Sequence, residues 1–164
     1  TGVKYQKLRD IPGSKTLLIA LAWGMVTAVL PPLSKFGSLH WVNVLVALWA
    51  IGIVFVRTAF FDILDMQGDR LVGKETIPIL LGEKRSMQLL KIILIILTAT
   101  LAVLSALHLT SSLGFALLLC PVFIALIIAA YERAQMFPGI RLEFLLETQF
   151  ILAGMITFVW RLFS

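Results

Sequence analysis

Charge is what this sequence has least of. Asp, Glu, Lys and Arg make up 14% of the residues against 60% hydrophobic ones, where soluble domains carry roughly 25% and 45–50%. A chain of 164 residues with so few polar side chains cannot cover a water-soluble globule, so its apolar stretches must face lipid or one another. Cysteine is nearly absent. Cys120 stands alone inside an apolar run, which excludes an intrachain disulfide framework and any cysteine-based metal cluster. Also lacking are an initiator Met and a signal-peptide pattern, so the opening stretch TGVKYQKLRDIPGSK reads as part of something longer. Internal repeats and low-complexity tracts are missing too. The net charge of +5 would suggest nucleic acid in a soluble protein, but the basic residues fall mostly between apolar runs. There they set membrane orientation, and nucleic-acid binding is not indicated.

What is present is a series of five apolar segments, approximately 16–33, 41–61, 89–109, 113–131 and 144–160. Each is long enough, or nearly so, for a bilayer core that takes about 20 helical residues. Pro31 and Pro32 are expected to stop the first. Thr110, Ser111 and Ser112 turn the chain after the third, and Pro138 and Gly139 lie in the connection before the fifth. The predicted fold is all-α, a polytopic bundle of five transmembrane helices. If the segments alternate, residues 1–15, 62–88 and 132–143 share one side. That side takes Lys4, Lys7, Arg9, Lys15, Arg57, Arg70, Lys74, Lys84, Arg85, Lys91, Arg133 and Arg141, 12 of the 14 basic residues, leaving Lys35 and Arg161 opposite. The positive-inside rule makes the first side cytoplasmic and puts the C-terminus on the other.

The informative stretch runs from Phe61 to Pro78, where the second segment ends. On a continuous helix Asp62, Asp65 and Asp69 fall within about 60° of one face. Three like charges on one face are costly without a cation, and a carboxylate set suits Mg²⁺, which is commonly held by one or two carboxylates together with substrate phosphate oxygens. Arg70 and Lys74 follow at once and can neutralise phosphate oxygens. The implied ligand is a Mg²⁺-bound phosphate or diphosphate. An ordinary solvated helix end with clustered charges is the alternative from spacing alone, and an EF-hand loop is excluded by it.

Asp62-x2-Asp65-x3-Asp69-Arg70, followed by Gly73-x2-Thr76-x-Pro78 and Leu81-Gly82, resembles the second aspartate-rich motif of the UbiA superfamily of intramembrane prenyltransferases. Tyr5-x3-Arg9 is similar to the family's Tyr-x3-Lys element, with Arg in place of Lys. The resemblance implies a nine-helix fold around a central cavity, of which this chain is the C-terminal portion, its last five helices. It implies Mg²⁺-dependent transfer of an isoprenyl group from its diphosphate to a small acceptor, with an aromatic, quinone-precursor type preferred. Asp62, Asp65 and Asp69 would hold the metal, Arg9, Arg70 and Lys74 would contact diphosphate, and Tyr5 would donate a hydrogen bond near the reacting end. The family's first aspartate motif does not occur in these residues, so its helices are expected upstream as the missing partner, and the chain by itself is expected to be inactive. Two rival readings are a non-catalytic membrane scaffold or lipid-binding subunit and a CDP-alcohol phosphatidyltransferase. The second is disfavoured because its Ala-Arg pair does not follow Asp62.

Outside the motif, Arg57 and Glu147 each stand about one turn inside an apolar segment, where a functional role and simple snorkelling are both open. Trp23 and Trp49 lie deeper and either line a cavity or pack, packing being the favoured reading, and Gly24, Gly52 and Gly154 are expected to permit close helix approach.

Overall fold

The computed structural model describes residues 13–73, 75–133 and 139–163. Five helices are long and apolar enough to cross a membrane: α1 (Ser14–Phe36), α2 (Trp41–Leu64), α5 (Glu83–Ala106), α6 (Leu113–Glu132) and α7 (Ile140–Phe163). Two short helices, α3 (Met66–Val72) and α4 (Ile77–Leu81), lie between α2 and α5. No strand occurs among the described residues. The protein is thus an integral, multi-pass membrane protein with an all-helical fold.

The faces that meet are apolar, as are the faces turned outward, where Ile92, Ile95 and Ile96 of α5 are exposed. Ile53, Val56, Phe60 and Ile63 on α2, Met87, Leu90, Leu94 and Leu97 on α5, Ile124, Ile127 and Ile128 on α6, and Leu142 and Leu146 on α7 form one buried cluster. Each set recurs at intervals of three and four, the spacing that keeps side chains on one helix face. This core occupies the half of the bundle nearest the Asp-bearing end of α2. α1 packs along α2, α2 against α5, α5 against α6, and α6 against α7. The chain of neighbours leaves the outer halves of α1/α2 and α6/α7 separated by a gap.

Three expectations are corrected. Pro31 and Pro32 do not end the first helix. Residues Met25–Val29 form a π-turn, in which the Leu30 N–H reaches the Met25 carbonyl, and the helix resumes over Leu30–Phe36 with the prolines in its first turn. A proline there has no intrahelical N–H bond to lose, and the widened turn absorbs the ring. The third span begins at Glu83, earlier than hydropathy suggests, because the helix carries the exposed charges of Lys84 and Arg85 in its first turn. Of the three glycines, a Cβ on Gly24 would meet Ile51 Cγ1 at 2.1 Å and one on Gly52 would meet Leu97 Cδ2 at 2.6 Å, whereas Gly154 has nothing within 4 Å. Gly24 and Gly52 serve close packing as expected, and Gly154 borders open space. α6 is broken at Leu118, next to the Leu117 carbonyl that the Pro121 ring would meet in a regular helix.

Candidate functional site

The Asp-bearing end of α2 passes into α3 through a single residue, Asp65. The Asp65 N–H bonds the Phe61 carbonyl and the Asp69 N–H bonds the Asp65 carbonyl, both at 2.9 Å. Asp65 itself leaves helical geometry, at φ −87° and ψ 2°. The single helix face expected from 100° per residue is therefore interrupted at its middle carboxylate. Asp62 is half-buried in the last turn of α2, Asp65 is exposed at the junction, and Asp69 is 8% exposed in α3. Asp62 lies within Coulombic reach of Asp69, Lys15 and Asp65. Among the described residues no three His, Cys, Asp or Glu side chains converge as a ready-made metal cage.

The strongest local constraint on Asp62 comes from a residue that motif reasoning did not assign. Thr16, 3% exposed in the first turn of α1, donates its hydroxyl to Asp62 Oδ2 at 2.5 Å. The bond ties the start of α1 to the end of α2. Gly13 brings α1 to that position: its φ of +74° suits glycine, and an added Cβ would lie 2.5 Å from Ile77 on α4. Beyond α3, Gly73 closes the helix at φ +71°. Thr76 opens α4, and its buried Oγ1 has no hydrogen-bond partner. Arg70 is exposed in the last turn of α3. Tyr5, Arg9 and Lys74 lie outside the described residues.

Arg57 and Glu147 meet each other. The Arg57 guanidinium pairs with Glu147 across α2 and α7 and lies 4.9 Å and 5.3 Å from the Phe61 and Phe150 ring centroids. Snorkelling alone does not describe this arrangement, which bridges two helices where their backbones stand apart. On the neighbouring helices, Lys91 pairs with Glu132 at 2.7 Å, and Tyr131 donates to Glu83 at 3.2 Å.

Farther into the membrane, the gap between α1/α2 and α6/α7 is a cavity of about 620 Å³. Trp23, Thr27 and Ala28 line it from α1, Trp49 and Ile53 from α2, Leu117 and Cys120 from α6, and Gln149 to Arg161 from α7. The expectation that Trp23 and Trp49 simply pack is revised. Both line the cavity, and Trp49 additionally donates its indole N–H to the Leu97 carbonyl at 3.1 Å. The π-turn of α1 forms part of the same wall.

An apolar intramembrane cavity together with an acidic helix end is what enzymes acting on amphiphilic phosphates require, and the sequence profile of the UbiA prenyltransferase family matches residues 1–139. The chain belongs to the UbiA prenyltransferase family. No curated protein and no solved structure matches the chain significantly. Membership in the UbiA family carries prenyltransferase activity in its general form and sets aside the phosphatidyltransferase reading. The match covers α1 to α6 and both Asp-bearing helices.

Proposed function

We infer that this UbiA-family chain carries one half of the diphosphate site of an enzyme that transfers an isoprenyl group from an allylic diphosphate to an aromatic acceptor. The observation that carries the reading is Asp62, a carboxylate fixed by Thr16 at the end of a membrane-spanning helix, with Asp69 and Asp65 within Coulombic reach. An all-carboxylate donor set fits a hard divalent cation, and two carboxylates suffice when substrate phosphate supplies the remaining oxygens. Asp62, Asp65 and Asp69 would hold Mg²⁺, which when bound supplies charge neutralisation to the leaving diphosphate.

The other roles belong to side chains of this chain. Arg70, with Arg9 and Lys74, contacts diphosphate oxygens, and Tyr5 donates a hydrogen bond near the reacting end. In the transfer, the bond between the allylic carbon and the diphosphate oxygen breaks with its electron pair staying on diphosphate. A new bond forms from the acceptor to that carbon, and the acceptor gives up a proton to the departing diphosphate. An apolar cavity protects such an electron-poor carbon from water. The cavity wall on α2 reaches Val54, eight residues or about 12 Å along the axis from Asp62. A prenyl chain would extend along that wall, with the opposing aspartate motif and its helices supplied from upstream of Thr1.

The test is release of diphosphate from labelled geranyl diphosphate by the full-length protein in the presence of an aromatic acceptor. Release should require Mg²⁺ and fall by at least about tenfold in Asp69→Asn, given the several kcal/mol that metal charge stabilisation contributes. Wild-type release by a folded Asp69→Asn variant would favour the non-catalytic, lipid-binding reading.

A further inference from the structure

The inner faces of α5 and α6 are used by the core, but on their outer side the two helices enclose a second cavity. It is a groove of about 310 Å³, floored by Leu94 of the buried cluster and rimmed by Ile95, Val122 and Leu126, which are exposed. Both helices are long and apolar enough to span the membrane, so exposed apolar rims on them face lipid.

One end of the groove is polar. Lys91 lines it, and its ammonium donates to both carboxylate oxygens of Glu132, at 2.7 and 2.9 Å. Glu132 is the last residue of α6, whereas α5 continues from Lys91 back to Glu83, eight residues or about 12 Å. The pair therefore marks the level at which α6 leaves the apolar layer, where phospholipid heads meet their chains. Lys91 lays its stem on apolar surface and keeps its charge at that level. From there the groove runs inward to Thr98, seven residues or about 10 Å along α5. The Thr98 hydroxyl donates to the Leu94 carbonyl at 2.7 Å, so it presents no O–H to the groove.

The charges of the pair select the head. The Lys91 and Glu132 side chains are 42% and 37% exposed, so both can be reached, and an ion pair this exposed is weakly held. Lys91 alone would favour an anionic lipid, but the Glu132 carboxylate beside it cancels that charge. Arg85 and Lys84 stand at least six residues, about 9 Å, farther along α5, and Arg133 does not line the groove. A neighbouring cation and anion are complemented by a head that carries both, its phosphate accepting from Lys91 and a primary ammonium donating to Glu132. A choline head has the same two charges and no N–H to donate. We propose that the groove between α5 and α6 binds a phosphatidylethanolamine, with one acyl chain lying on Leu94 and the head on Lys91 and Glu132. The site stands apart from the aspartates of α2 and α3, and it holds whether or not the chain transfers a prenyl group.

The test is native mass spectrometry of the full-length protein titrated with phosphatidylethanolamine, phosphatidylcholine and phosphatidylglycerol of matched acyl chains. Wild type should bind the ethanolamine lipid about fivefold more tightly than the choline lipid, the factor that one net hydrogen bond contributes, and no less tightly than the glycerol lipid. Glu132→Gln, at an exposed position, should lose the ethanolamine preference and bind the glycerol lipid best, because Lys91 then meets phosphate with no carboxylate beside it. Ala125→Phe fills the groove from an exposed lining position without touching the pair, and it should weaken binding of all three lipids. Equal binding of the ethanolamine and choline lipids by wild type, a wild-type preference for the glycerol lipid, an ethanolamine preference that survives Glu132→Gln, or unchanged binding by Ala125→Phe overturns the proposal.

Discussion

Replacing Thr16 by valine keeps shape and volume and removes only the hydroxyl that reaches Asp62. The structure gives the magnitude its basis: the donor is 3% exposed, the bond is 2.5 Å long, and the acceptor is a half-buried carboxylate. A hydrogen bond to a charged group contributes about 1.5–3 kcal/mol, and at 1.4 kcal/mol per decade this is a loss of about 10- to 150-fold in an equilibrium that depends on the placement of Asp62. The relevant equilibrium is Mg²⁺-dependent binding of geranyl thiolodiphosphate, followed by isothermal titration of the full-length protein in nanodiscs. Thr16→Val should weaken that binding within this range, and Thr16→Ser, which keeps the hydroxyl, should restore most of it. A purely structural tie between α1 and α2 would lower the thermal midpoint in Thr16→Val and leave affinity untouched. That outcome would refute the argument that Thr16 acts through Asp62.

Other perturbations probe separate parts of the account. Gly24→Ala places a methyl group against the β-branched Ile51 side chain, which must shift to admit it, and should cost about 1–3 kcal/mol of stability; Gly154→Ala meets nothing within 4 Å and should stay within about 0.5 kcal/mol, a contrast read from thermal unfolding in detergent. A double-mutant cycle on Arg57→Ala and Glu147→Ala should give a coupling of about 1 kcal/mol, because Glu147 is 49% exposed and water screens the pair; strict additivity would deny the bridge between α2 and α7. Cysteine placed at exposed Arg85 should react with membrane-impermeant maleimide only from the cytoplasmic face, as the 12-to-2 division of basic residues requires, and labelling of intact cells from outside would reverse the orientation.

The number of spans was legible because apolar length alone sets it, but the core stripes on α2 and α5 were not, because outward-facing positions such as Leu48, Ile92, Ile95 and Ile96 are as apolar as the buried ones. Boundaries were less so. A hydropathy window cannot see that Lys84 and Arg85 ride on a continuing helix, and a rule that prolines end helices does not foresee a π-turn at Met25–Val29 that takes Pro31 and Pro32 into a fresh first turn. The aspartates stood out by type and spacing, but the helical wheel assumed an unbroken helix, and Asp65 leaves helical geometry between α2 and α3. Thr16 gave no signal beyond its place at a segment edge, since its partner lies 46 residues away.

The central claim is that the carboxylates at the end of α2 and in α3 hold a diphosphate through a divalent cation. Titrating geranyl thiolodiphosphate into full-length protein, with Mg²⁺ and with EDTA, for wild type, Asp62→Asn, Asp65→Asn and Asp69→Asn, tests it most directly. The account predicts binding by wild type only with Mg²⁺ and a loss of about tenfold or more in Asp62→Asn and Asp69→Asn, in line with the removal of a charged metal ligand. Binding that persists in EDTA, or isotherms of folded Asp62→Asn and Asp69→Asn that superimpose on wild type, would contradict it.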